Sequence, residues 1–355
     1  MGLITTVMLI FSILGAMDRI IGNRFGLGKE FEKGFLLLGA MSLSMTGMLV
    51  ITPWLAQILE PVFSFVWRYL HIDPSVVPAI LFANDMGGAP MATQIAVDSQ
   101  IGGFNALIVS SMMGATISFT IPYALGVVRE EQHKNMFLGI LCGIVVIPLG
   151  CLVSGIVLKI PIGKLLFDLF PLIIFSLLLA LGLLKFTDIC VRLFNGFAIF
   201  VRSLITVGLI VGVVQFLTGK YLLSPIASLE EGTMVCLNAS VVLSGAFPLM
   251  YLISKLLVKP LRFIGGKFGI NEVSAIGFAS TLVSNAPTFG VMNKMDEKGV
   301  VMNSAFAVSA AFVFGSHLAF TMAFDETYLS AMLIGKVVSG VLALFVANYV
   351  YETKK

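Results

Sequence analysis

Eleven apolar runs follow one another along the chain, at approximately residues 3–21, 35–59, 76–97, 104–128, 136–158, 165–186, 194–217, 233–257, 272–292, 300–323 and 329–350. Each approaches the roughly 20 residues with which a helix crosses a bilayer. Unpaired backbone groups are not tolerated in lipid, so runs of this length predict an all-α polytopic membrane bundle rather than a barrel. Polar positions inside the runs are few and unevenly placed. The third run is interrupted by LFANDMGGAPMAT, Leu81 to Thr93, which carries Asn84, Asp85, Gly87, Gly88 and Pro90. The ninth is interrupted by SNAPTF, with Ser284, Asn285 and Pro287.

The two halves echo each other at an offset close to 198 residues: Pro61 matches Pro260, GGAPMA around Pro90 matches SNAPTF around Pro287, Asn105 matches Asn303, and Gly139 matches Gly335. Four landmarks in the same order predict two repeats of about five segments. Residues 1–159 form the first, 160–193 a connecting transmembrane segment, and 194–355 the second.

Loop charge tests the orientation of the repeats, because cytoplasmic loops are enriched in Lys and Arg. If all eleven runs cross, the basic residues divide 11 against 10 and no side is positive. If the third and ninth runs are re-entrant hairpins, 17 fall on one side, from Arg19 to Lys355, against Arg68, Lys159, Lys164 and Lys220 on the other. The runs that must turn back are the two that Pro and Gly interrupt. The pattern therefore predicts nine crossings, an external N-terminus, a cytoplasmic C-terminus and inverted repeats, a recurrent transporter architecture.

Composition agrees with this reading: the 355 residues are 58% hydrophobic and 12% charged, with 29 Phe and 18 Met. The first run starts at Met1 without a basic leader or small-residue cleavage site, and reads as a retained segment rather than a signal peptide. No nucleotide-binding motif occurs, which argues against an ATP-driven pump. Cys142, Cys151, Cys190 and Cys236 lack metal-site spacing and read as apolar filler; no metal, cofactor or nucleic acid is expected.

Asp85 is the one acid the pattern places deep in a run, and an ionisable group at that depth costs at least about 2.5 kcal/mol on insertion scales, so function is its default explanation. The competing explanation is a carboxylate capping the second half-helix. Asn84 shares the tip, and Ser284 and Asn285 take the matching place in the second repeat, where Asn also serves as a turn cap. Gly87, Gly88, Pro90 and Pro287 supply the turns. Ser316 and His317 follow the second hairpin, His317 being either an interhelical hydrogen-bonder or a solute contact. Ser110, Ser111, Thr116, Ser118 and Thr120 read mainly as close-packing residues. Lys336, about two turns into the last run, is expected to snorkel to the interface rather than pair with Asp85.

The chain resembles the ethanolamine permease family, EutH, of the bacterial ethanolamine-utilisation system. The resemblance rests on MDRIIG, FEKGFLLLGAMSLSMTGM, DMGG at Asp85–Gly88, GVVREE, IPLGC, NGFAIF, SNAPTFGVMNKMDEKG and NSAFAVSAAFVFGSHLAF, and spans nearly the whole chain. It implies a multi-pass inner-membrane permease that is not an enzyme and brings ethanolamine, a small amino alcohol cationic at neutral pH, into the cytoplasm. The family pattern places an acid before the histidine where this chain has Ser316. That departure leaves Asp85 as the principal anionic residue. Without the resemblance, the residues reach only a transporter of a small polar or cationic solute. An ion channel, an intramembrane enzyme built on Asp85 and His317, the coupling ion and a homo-oligomeric state remain open.

Overall fold

The computed structural model describes residues 2–354, the side chains of Leu3, Leu257, Val258, Ile264 and Lys354 excepted. Met1 and Lys355, used above in reading the first run and the loop charge, lie outside the described residues. Among these the chain is all helical. Its α-helices are α1 (Leu3–Ile20), α2 (Leu27–Met41), α3 (Gly47–Phe65), α4 (Val76–Leu81), α5 (Gly88–Ile95), α6 (Ser99–Phe104), α7 (Ile121–Val127), α8 (His133–Ile144), α9 (Ile147–Val157), α10 (Ile162–Lys185), α11 (Thr187–Thr218), α12 (Leu229–Phe268), α13 (Glu272–Val283), α14 (Asn285–Gly290), α15 (Glu297–Ala310), α16 (Ser316–Asp325) and α17 (Leu329–Lys354). π-helical turns at Ser42–Thr46 join α2 to α3, and others at Asn105–Gly114 and Thr116–Thr120 join α6 to α7.

Seven helical stretches among the described residues are long and apolar enough to cross a membrane: Leu27–Leu70, Ser99–Val127, Glu130–Val157, Ile162–Lys185, Thr187–Thr218, Leu229–Leu256 and Ser316–Thr353. The protein is thus a multi-pass membrane protein. Two segments occupy its centre. The run 104–118 and the helix α15 are buried on nearly every face, and α15 packs closely on α8. At that contact a Cβ added to Gly139 would overlap the Val301 carbonyl, so only glycine permits the approach. At the periphery, α10 exposes Phe167, Phe170, Leu177, Leu178, Leu181 and Leu184, a face suited to acyl chains.

The third and ninth runs break where Pro and Gly cluster. α4 ends at Leu81, Phe82 and Ala83 are extended, and Gly87 takes a left-handed φ of +105° before α5. In the ninth run the break is at Ser284, between α13 and α14. The prolines do not end helices. Pro90 and Pro287 sit in the first turn of α5 and α14, where a missing N–H leaves no bond unmade.

Each broken segment is closed at its base by a carboxylate. Asp73 accepts from the Ser75 amide (3.0 Å) and hydroxyl (2.6 Å) and from the Val97 (3.1 Å) and Asp98 (2.9 Å) amides, bringing the start and end of the first together. Asp296 does the same for the second, accepting from the Asn271 amide (2.9 Å) and the Ser274 hydroxyl (2.7 Å). Asp98 and Asp296 also cap α6 and α15, accepting from the Ile101 and Gly299 amides. Matched Asn105 and Asn303 each donate back to their own segment, at Ser75 and at the Ser274 carbonyl.

The two halves of the chain differ after the broken segments. The run 104–128 stays helical up to Val127, whereas 300–323 is not one helix: it opens at residues 311–315 between α15 and α16. There the Phe312 and Phe314 amides donate to the Thr281 and Leu282 carbonyls at 3.2 and 2.8 Å, satisfying acceptors that the end of α13 leaves free.

Candidate functional site

Three of the residues singled out in the sequence meet at one point. Asp85, in the turn Asn84–Met86, faces the start of α16. The Asp85 Oδ1 lies 4.0 Å from His317 Nε2, with the His317 side chain 2% and the Asp85 side chain 15% exposed. Four ångströms is beyond a direct hydrogen bond. The Ser316 hydroxyl also acts on the carboxylate, and the Phe312 ring lies 5.0 Å from the imidazole. Phe312 itself holds a left-handed φ of +64°, unusual for a bulky residue.

The capping explanation for Asp85 fails on geometry. The N-cap of α5 is Gly87, and no side chain bonds the first amides of that helix. The carboxylate is therefore left facing α16. In the second break the cap is Ser284, whose hydroxyl accepts from the Ala286 amide at 3.3 Å. Asn285 is not a turn cap: its amide donates to the Thr120 hydroxyl at 3.1 Å, tying the second break to the central segment of the first half.

Polar atoms without a protein partner gather in these segments. Asn84 is fully buried and both ends of its amide are unpaired, as are Asn285 Oδ1, His317 Nδ1 and, one turn further along α16, Thr321 Oγ1. Buried polar groups are normally satisfied, so these atoms keep hydrogen-bonding capacity to spare.

A cavity of about 640 Å³ leads to this region. Ser284, Pro287, Phe312 and Ser316 line one part of it, and Glu30, Lys33 and Lys255 another. Apolar side chains such as Leu243, Phe247 and Met250 also line it.

The turn glycine is sterically required. A Cβ at Gly88 would overlap the Phe82 carbonyl and stand 2.8 Å from that of Ala83 and 2.9 Å from Ser110 Cβ. The hydroxylated run serves this packing: Ser110 and Thr116 bond carbonyls one turn back. Ser118 does so too, and its oxygen also accepts from the Ala83 amide in the break at 3.0 Å.

Two features depart from expectation. Lys336 does not snorkel: it is 1% exposed and its Nζ donates to the Ser111 carbonyl at 2.5 Å. It lies close enough to act electrostatically on Asp85 and His317. Nor is Asp85 the one enclosed acid. Asp168, in the second turn of α10, is 4% exposed and accepts from Asn105 Nδ2 at 3.2 Å, its other oxygen unpaired. Asp18, also buried, accepts from the Phe25 and Gly28 amides at 2.9 Å and shapes the turn between α1 and α2.

The family model described as "Ethanolamine utilisation protein, EutH" matches residues 2–350. "Probable ethanolamine permease EutH" of Listeria monocytogenes serotype 1/2a is 41% identical over 350 residues, covering 98% of this chain and 93% of that protein. The protein of the same name from Escherichia coli K12 is 38% identical, with 97% and 94% covered. "Uncharacterized protein YxeR" of Bacillus subtilis 168 is 36% identical, with 96% and 92% covered. No solved structure matches the chain.

Proposed function

We propose, from the premise that this chain belongs to the ethanolamine utilisation protein EutH family, that it carries ethanolamine across the inner membrane into the cytoplasm. The observation that carries this reading is a partly buried carboxylate that makes no capping bond, set beside a hydroxyl, an imidazole and unpaired amides. Asp85 receives the substrate ammonium. Asn84, Ser284, Asn285, Ser316 and His317 surround it, and the substrate hydroxyl pairs with an amide or hydroxyl among them. Chemistry on the substrate is not needed for this role.

The same reading makes the two broken segments re-entrant hairpins, in repeats 1–159 and 194–355 of opposite orientation around the connector 160–193. Support comes from the carboxylate-closed bases, where each segment begins and ends at one place. The first base neighbours Lys164, which bonds Asp98 at 2.5 Å, and the second neighbours Lys294, whose carbonyl accepts from Asn271 Nδ2 at 2.9 Å. Loop charge puts Lys164 outside and Lys294 inside, hence a cytoplasmic C-terminus and an external N-terminus. The cavity bounded by Lys33 and Lys255 is then the cytoplasmic vestibule.

The test is uptake of labelled ethanolamine into proteoliposomes of the purified protein, with pH and sodium gradients imposed separately. Saturable uptake absent from empty vesicles is expected. Uptake no faster than that of empty vesicles overturns the reading.

A further inference from the structure

We propose that Asp168 and Asn105 hold one small monovalent cation, sodium or a proton, whose binding is coupled to that of ethanolamine at the Asp85 turn. The inference rests on the transport reading above and adds a coupling site to it.

Asp168 of α10 is enclosed, and Asn105 and Ser75 are fully buried. One line of hydrogen bonds joins them. The Ser75 hydroxyl donates to Asp73 Oδ1 at 2.6 Å, and Asn105 Nδ2 donates to the Ser75 oxygen at 2.9 Å and to Asp168 Oδ1 at 3.2 Å. A hydroxyl has one hydrogen. Ser75 spends it on Asp73, so towards Asn105 it can only accept, and this fixes which end of the carboxamide faces it. Both N–H groups of Asn105 are then used. Its Oδ1 is left buried without a partner, and so is Asp168 Oδ2. Two enclosed acceptors on bonded neighbours, one of them a carboxylate oxygen, require a guest that carries positive charge.

The surrounding charge points the same way. The bonded network holds three carboxylates, Asp73, Asp98 and Asp168, and one ammonium, that of Lys164, which bonds Asp98. Asp73 is met by four N–H and O–H donors, whereas Asp168 has the one amide of Asn105 among the described residues. The remaining titratable residues of the helices packed on α10 are Cys151 of α9, His133, Lys134 and Cys142 of α8, and Asp188, Cys190, Arg192 and Arg202 of α11; α4 and the π-helical run from Asn105 have none. One cation balances Asp168: a sodium ion shared by the two free oxygens, or a solvated proton that bonds to Asp168 Oδ2 and is donated to Asn105 Oδ1. The π-helical run carries the effect to the substrate turn, because it starts at Asn105 and packs Ser110 against Gly88. Cation and ethanolamine thus occupy the base and the tip of one broken segment. Filling the base ties α10 to that segment and steadies the tip, and by linkage each ligand tightens the other.

The test is calorimetric affinity of the purified full-length protein for ethanolamine, in sodium chloride against potassium chloride of equal strength, and in potassium chloride at about pH 6 against about pH 8. Binding at least about fivefold tighter with sodium, or at the lower pH, is expected, the lower end of coupling between sites; the first result identifies sodium and the second a proton. Asp168→Asn deletes the charge and supplies an N–H to the orphaned Asn105 oxygen, so it should fold, bind as tightly as loaded wild type and lose the dependence on either cation. Wild-type affinity within twofold across all conditions, or a dependence undiminished in Asp168→Asn, overturns the cation site and leaves the transport reading standing. Should that variant fail to fold, the cation taken up with ethanolamine by wild type is counted, labelled sodium by equilibrium dialysis and protons by titration in buffers of different ionisation enthalpy; about one per ethanolamine is expected, and none overturns the proposal. No ethanolamine binding by folded wild-type protein removes both readings.

Discussion

Asp85→Asn isolates the charge on which the site depends. Asparagine keeps the shape and hydrogen-bonding capacity of the side chain, so a loss of affinity reports the missing charge. At about 4 Å and an effective dielectric near 20, a carboxylate and an ammonium attract by roughly 4 kcal/mol before either is desolvated. Both give up water, and Asp85 keeps only 15% of its side-chain exposure, so the net loss falls in the range of hydrogen bonds to charged groups, about 1.5–3 kcal/mol. At about 1.4 kcal/mol per decade, ethanolamine should bind about ten to a hundred times more weakly. A capping carboxylate would show almost nothing, since Asn caps nearly as well as Asp; here Gly87 holds the cap position without a side-chain bond. The assay is calorimetric affinity for ethanolamine in wild type and Asp85→Asn, with equal folding established by thermal shift. Affinities within twofold would refute the reasoning and take Asp85 out of the binding site.

Three further outcomes follow from the packing, the topology and the surface charge. Gly88→Ala drives a Cβ against two backbone carbonyls that cannot move aside. It should lower stability by about 1–3 kcal/mol, as overpacking does, and impair uptake, whereas Gly39→Ala, with open space around it, should do neither; thermal shift and uptake together check this. Single cysteines at Lys33 and Lys294 should react with impermeant maleimide from the cytoplasmic side and one at Lys220 from outside, and labelling of Lys33 and Lys220 positions from one side would contradict the inverted arrangement. Lys164 holds the Asp98 carboxyl below the usual carboxylate range, helped by the Ile101 amide. A depressed folded-state pKa stabilises above the unfolded value and is lost as pH falls through the folded one, so the Tm gap between wild type and Lys164→Met should be widest near pH 7 and close on acidification.

Much of this architecture is legible without coordinates, for identifiable reasons. Long apolar runs have few structural options in lipid, and Pro with Gly at mid-run marks broken helices. Asp85, Ser316 and His317 stood out because polar groups are costly there, and they do converge. What failed to show was tertiary. FVFG gives no strong warning that residues 311–315 leave the helix, because the break is held by the Thr281 and Leu282 carbonyls at the end of α13, far upstream in the chain. Distance from the end of its run suggested that Lys336 would reach the interface; the Ser111 carbonyl on another segment receives it inside. Asp168 sits near enough to a helix start to pass for an interfacial acid, yet Asn105 encloses it.

The central claim is that this chain is a carrier that takes ethanolamine across the membrane, and counterflow tests it most directly. Proteoliposomes loaded with unlabelled ethanolamine are diluted into a trace of labelled substrate. A carrier should draw the label transiently above its equilibrium level, the overshoot being lost in Asp85→Asn at the same substrate concentration. A monotonic rise to equilibrium without overshoot would mark a channel and contradict the account.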